Sequence, residues 1–277
     1  PDGNAVESLS LNAAATAAAA GAGLTVSYTP ATGVLSITGV ATTAVYQTIL
    51  QGILYNDTSD MPTTSNRSIT VVANDGTTAS ATQTVTLTVT AVNDAPVVDL
   101  NAGGAGQDVT TAFTEQTPVL IAPVGTLTDV DSANLTSLLV TLTARPDGNA
   151  VESLSLNAAA TAAAAGAGLT VSYTPATGVL SITGAATTAV YQSILQGILY
   201  NDTSDTPTTS NRSITVVAND GTTASATQTV TLTVTAVNDA PTITAVADQT
   251  IAEDGTTGAL PLTVSDVETA AGALTVT

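Results

Sequence analysis

Apolar and hydroxyl side chains alternate along Ser68-Ile69-Thr70-Val71-Val72-Ala73 and again along Thr82-Gln83-Thr84-Val85-Thr86-Leu87-Thr88-Val89-Thr90. A period of two places one set of side chains on each face of an extended chain, so both segments read as half-buried strands. Leu24-Thr25-Val26-Ser27-Tyr28 and Val34-Leu35-Ser36-Ile37-Thr38 read as two more, joined through the hairpin turn Thr29-Pro30-Ala31-Thr32-Gly33. The spacing changes at Val45, Tyr46, Ile49, Leu50, Ile53 and Leu54, which follow a helical period and predict a short amphipathic helix between strands. The tract Ala13 to Ala20 fits either a helical turn or a loop, and periodicity leaves both open.

The pattern then repeats. Residues 1–96 recur as 146–241 with only Val40/Ala185, Thr48/Ser193 and Met61/Thr206 differing. A period of this length is a whole domain rather than one turn of a solenoid. Strand-like sequence ends in turn-forming residues and a proline at Ala91-Val92-Asn93-Asp94-Ala95-Pro96 and at Ala236 to Pro241, which places the domain edges there. The expected organisation is the later part of one repeat (1–96), a complete repeat (97–241) and the opening of a third (242–277), with Pro1 read as the start of a processed or excised segment. Leu274-Thr275-Val276-Thr277 resembles Leu139-Val140-Thr141-Leu142, which lies shortly before Pro146, the counterpart of Pro1; the two chain ends would nearly compose one repeat.

Composition narrows the chemistry. Three arginines, Arg67, Arg145 and Arg212, face 22 acidic residues, for a net charge of −19 that speaks against nucleic acid as a partner. Such a charge opposes compaction unless cations sit where carboxylates gather. With neither Cys nor His, the chain offers a metal only oxygen ligands, and thiolate or imidazole catalysis is excluded. The Ala-rich tract is broken by Gly21 and Gly23, so no membrane-spanning helix is predicted.

Acidic and amide residues gather near the domain edges: Asp75, Asn93, Asp94, Asp129 and Asp131 at the first, Asp220, Asn238, Asp239, Asp266 and Glu268 at the second. Calcium takes six to eight oxygens at about 2.3–2.6 Å from such groups, with tolerant geometry. Asp94 also suits a turn that caps its own backbone, and Asp129 and Asp131 suit a loop; on an extended strand their i, i+2 spacing would put both carboxylates on one side. Asn56, Asp57 and Asp60 read as a helix-terminating turn, and Asp254 as a turn residue beside Gly255.

Ile69 to Gly76, with Ala73-Asn74-Asp75-Gly76 at its end, followed by an alternating strand and Val92-Asn93-Asp94-Ala95-Pro96, resembles the cadherin pattern of a penultimate strand and calcium-binding linker. Asp129-Val130-Asp131 is similar to its D-x-D motif, and Glu115 and Glu253 to its early glutamate. With DVDSANL at 129–135 and YNDTSD at 55–60, the chain most resembles the cadherin-like tandem repeats of large type I secreted (RTX-type) bacterial adhesins. The resemblance implies an all-β fold of tandem cadherin-like or Ig-like Greek-key β-sandwich domains with a short helical insertion in each. It also implies Ca2+ between successive repeats, with Asn93 giving its carbonyl. Ala91 and Ala95 stand where the cadherin linker has Asp and Asn, so one or two ions per junction are expected instead of three.

The expected role is a non-enzymatic, extracellular, calcium-rigidified stalk at a cell surface or in a biofilm matrix, whose partners are neighbouring repeats or identical chains and a surface or matrix ligand. Two alternatives are a filament or sheath subunit completed head to tail by strand exchange, and a ligand-binding adhesin tip. An enzyme would have to work with Asp and Glu alone in a cleft with few aromatics, since the chain has six Tyr and one Phe. The sequons at Asn56, Asn66, Asn134, Asn201 and Asn211 permit glycosylation.

Overall fold

A computed structural model describes residues 2–3 and 5–269 of the chain. The chain divides into two compact units, Pro1–Asp94 and Ala95–Thr277. Strand dominates and helix is minor, in keeping with an all-β class.

The first unit contains β1 (Glu7–Leu11), α1 (Ala13–Gly21), β2 (Thr25–Thr29), β3 (Val34–Thr38), α2 (Thr43–Leu50), β4 (Ile53–Asp57), β5 (Arg67–Val71) and β6 (Gln83–Leu87). Its strands pair only two by two: β1 with β4, β2 with β3, β5 with β6. The hairpin at 24–38 and the strands within 68–73 and 82–90 are where alternation puts them. The Ala tract is a helix, as the highest intrinsic helix propensity favours. It is started by the Asn12 side chain, which accepts the Ala15 N–H at 2.8 Å. The second helix is shorter than its apolar spacing suggests, because Ile53 and Leu54 pair with Leu11 and Ser10 as the start of a strand.

The second unit adds β7 (Val97–Asp99), β8 (Val109–Thr114), β9 (Val119–Leu120), β10 (Thr126–Thr128) and β11 (Asn134–Ala144) ahead of the repeated elements. These follow as β12 (Glu152–Leu156), α3 (Ala158–Gly166), β13 (Thr170–Thr174), β14 (Val179–Thr187), α4 (Thr188–Leu195), β15 (Ile198–Asp202), β16 (Arg212–Asn219) and β17 (Gln228–Thr235). Beyond them lie the short β18 (Thr242–Ile243) and β19 (Val264–Ser265), which pair with each other. A six-stranded sheet runs β13-β14-β11-β16-β17-β8, all antiparallel except for the parallel pair β17–β8, and a three-stranded sheet runs β12-β15-β9.

One core joins the two sheets, with Leu138, Val140, Ile214, Val216 and Leu232 from the first packed with Leu154, Ile198 and Tyr200 from the second. The Tyr200 ring meets Phe113 edge-on with centroids 5.0 Å apart. β11 is inserted between β14 and β16 and supplies the centre of this core. No described strand of the first unit corresponds to β8 or β11; Val230 is fully buried, whereas Val85, its counterpart, is 48% exposed.

The α3–α4 layer depends on one close approach. A Cβ built on Gly197 would lie 2.4 Å from Ala160 Cβ and 2.8 Å from Asn157 Oδ1, the cap of α3. Gly197→Ala is therefore expected to destabilise the second unit by about 1–3 kcal/mol through overpacking, measured as a fall in its urea midpoint; an unchanged midpoint would show that the layer can yield.

Candidate metal centre

Glu115 follows β8 at a tight turn, with Gln116 next to it at φ +54°. Its N–H donates to Thr235 O at 3.0 Å, which ties the turn to the end of β17. Oε2 accepts the Val237 N–H at 2.7 Å. Only 5% of the residue is exposed, and the buried Oε1 receives no hydrogen bond. The chain after β17 brings up Asp239, whose buried Oδ2 is likewise without a partner. Glu268 reaches the same place from beyond β19, its Oε2 accepting the Asp239 N–H at 3.3 Å.

Carboxylate oxygens of Glu115, Asp239 and Glu268 lie within 4.8 Å of one another. Two oxygens on opposite sides of a calcium ion at about 2.4 Å each are about 4.8 Å apart, so this trio has the dimensions of a partial coordination shell. Without a cation, each pair of carboxylates at about 4 Å repels by ~1 kcal/mol in water and ~4 kcal/mol at an effective dielectric of 20. Loss of solvation and the Asp239 carboxylate push the Glu268 carboxyl up from its ordinary value. Asp266 shapes this arm: its Oδ1 accepts the N–H groups of Glu268 (3.2 Å) and Thr269 (2.7 Å) in a turn that presents Glu268. Asn238 Nδ2 donates to the Asp239 carbonyl at 2.6 Å, and its Oδ1 and backbone carbonyl are the oxygens it can offer a metal.

The other expected ligands divide. Asp129 and Asp131 meet in the loop after β10 rather than on a strand: Asp129 Oδ1 accepts the N–H of Asp131 at 3.2 Å and of Ser132 at 2.8 Å. Asp129 Oδ2 is buried without a partner, and burial followed by the Asp131 carboxyl raises the Asp129 pKa. The turn, not an extended strand, therefore aligns the pair. Asp75 and Asp220 organise hairpin loops. Asp75 Oδ1 accepts the N–H groups of Thr78 and Thr77 at 2.8 Å, which hold its carboxyl below the ordinary range; Asp220 Oδ1 does the same with Thr222 and Thr223. Asn93 Nδ2 donates to the Asp94 carbonyl at 2.6 Å at the end of the first unit. Glu253 lies in an exposed turn outside the trio, next to Asp254, whose φ of +63° fits the turn expected there.

A second charged cluster has no counterpart among these expectations. Arg212 is fully buried and spends all five of its N–H donors. Nε donates to Glu152 Oε1 (2.7 Å) and Tyr200 OH (3.1 Å), Nη1 to the carbonyls of Thr208 and Ser210, and Nη2 to Asp202 (2.9 Å) and Asp147. The first unit repeats the arrangement with Arg67, Glu7, Tyr55, Asp57 and Asp2. Asp57 is thus a strand residue bound to arginine and not part of a helix-terminating turn. Asp147, Glu152 and Asp202 also lie within 4.8 Å of one another, but the guanidinium already supplies their positive charge and would repel a divalent ion. The sequence held the signal: Arg67, Glu7 and Asp57 sit at inward positions of alternating strands, in step with Ile69, Leu9 and Tyr55.

Among the described residues no helix is long and apolar enough to cross a membrane. Comparison with protein-family models finds no match to the chain, and comparison with curated proteins finds none either.

Proposed function

We propose that this chain is a structural segment of an extracellular, tandem-repeat surface protein, built of cadherin-like sandwich repeats and stiffened by calcium at their seams. The observation that carries this reading is the Glu115–Asp239–Glu268 trio. One carboxylate comes from the body of the complete repeat, one from the segment that leaves it and one from the segment beyond β19, and two of the buried oxygens accept no hydrogen bond. An ion bound there ties successive stretches of chain together, with carbonyls and water completing the shell. In the same reading Asp129 and Asp131, paired in the loop after β10, form a second calcium site of the repeat. Calcium binding turns carboxylate repulsion into attraction, so the ion sets stiffness rather than chemistry. The role is load-bearing within an adhesin stalk, not catalysis.

Calorimetric titration of the full chain tests this. Extracellular modules bind calcium at about 10⁻⁴ to 10⁻³ M, and saturable binding in that range, with a raised melting temperature and a longer particle by small-angle scattering, is expected. Absence of saturable heat up to about 10⁻² M calcium would refute the reading.

A further inference from the structure

The carboxylates around Arg212 outnumber the cations there, and they lie in the interior of the repeat, apart from the seam. We propose that the closed repeat takes up a proton as it folds and keeps it within the Asp147–Glu152–Asp202 set, so that mild acid strengthens the repeat from inside.

Arg212 and Asp202 are fully buried and Glu152 is 1% exposed. Ionisation of all three acids would leave two uncompensated negative charges in this interior, which is costlier than binding a proton. The five N–H groups of Arg212 are committed, and Glu152 Oε2 receives no hydrogen bond. Asp147 and Asp202 share Nη2 of Arg212, and carboxylate oxygens of all three acids lie within 4.8 Å of one another.

The groups facing the set are few. Asp147 comes from the turn before β12, Glu152 from β12, Tyr200 from β15 and Arg212 from β16, while the Ser204 N–H donates to Asp202 Oδ1 at 3.0 Å. Tyr173 on β13 sends its hydroxyl to the Glu152 backbone oxygen, and Arg145 turns away to the carbonyls of Pro175 and Ala176. Burial raises the carboxyl pKa of both Glu152 and Asp202. At Asp147 burial is outweighed by hydrogen bonds from Thr208 and Asp202 and by Arg212, and the pKa falls.

The copy around Arg67 is an internal contrast. There the Glu7 side chain is 15% exposed against 0% for Glu152, and at Asp2 hydrogen bonds from Thr63 outweigh burial, so its carboxyl falls below the ordinary range.

An acid that holds its proton more tightly when folded contributes stability that is complete below its unfolded value, about 4, and is lost as pH rises through its folded value. Glu152 and Asp202 act in that sense and Asp147 in the opposite one, and the linked acids titrate as a set. Carbon-13 NMR of the side-chain carboxyls of the full chain, calcium-saturated and scanned from about pH 3 to about pH 8, tests the proposal, with backbone-linked assignment of the wild type. One carboxyl of the set is expected to keep its protonated shift at a pH above the ordinary carboxylate range; ionisation of all three within that range would overturn the proposal. In urea unfolding, the unfolding constant should rise by up to about tenfold per pH unit across the window, and Asp202→Asn should flatten that slope. An unchanged slope in a folded Asp202→Asn variant counts against the proposal, and if that variant does not fold, Glu152→Gln and the wild-type spectra decide.

Discussion

Arg212→Ala is expected to lower the stability of the second unit by about 3–5 kcal/mol, the cost of removing one partner from a buried ion cluster. The loss does not stop at the guanidinium. Glu152 and Asp202 would be left in the interior without their cation, and the carbonyls of Thr208 and Ser210 without their donor. Four separate stretches of chain meet at this side chain, so its removal loosens β12, β15, β16 and the 203–211 loop together. Lysine does not rescue it, since three donors on a point charge cannot satisfy acceptors spread around a plane. Arg67→Ala should cost less, because the carboxylates around Arg67 lie nearer to water. Urea unfolding followed by circular dichroism measures both; a loss under about 1 kcal/mol for Arg212→Ala would place the cluster with ordinary surface ion pairs.

Glu115→Gln should weaken calcium binding at the second seam by at least about tenfold, equal to 1.4 kcal/mol, while leaving the fold intact. The amide oxygen can still accept the Val237 N–H, but the charge that faces Asp239 and Glu268 is gone. In calcium-free buffer the sign reverses. One fewer carboxylate means less repulsion among the trio, so the apo variant should melt at or above the apo wild type. Asp60→Asn, at an exposed position of the first unit, is the control that leaves affinity unchanged. Titration calorimetry with paired melting curves reads both effects. A variant that binds calcium as the wild type does would remove Glu115 from the site.

Strand-forming segments were legible because alternation survives in both copies. Glu115, Asp239 and Glu268 were each legible as oxygen ligands. Their convergence was not, since it depends on the turn after β8 and on the path of the chain beyond β17, neither of which has a periodic signature. Asp129 and Asp131 were rightly paired on the wrong backbone, a turn that mimics the alignment a strand would give. The helical reading of Ile53 and Leu54 failed because apolar spacing alone cannot see that Gly52 packs under the cap of α1 and hands the chain to a strand. Arg67 and Arg212 were counted only as charge, although an arginine among inward-facing apolar positions marks a buried hub.

The parallel pairing of β8 with β17 bears on how the repeat carries tension. β8 enters the body of the repeat and β17 leaves it, joined through six register pairs from Val230↔Val109 to Thr235↔Thr114. Pulling the entering and leaving ends apart drags these two strands lengthwise past each other, so the ladder between them is sheared as a block instead of being peeled open rung by rung.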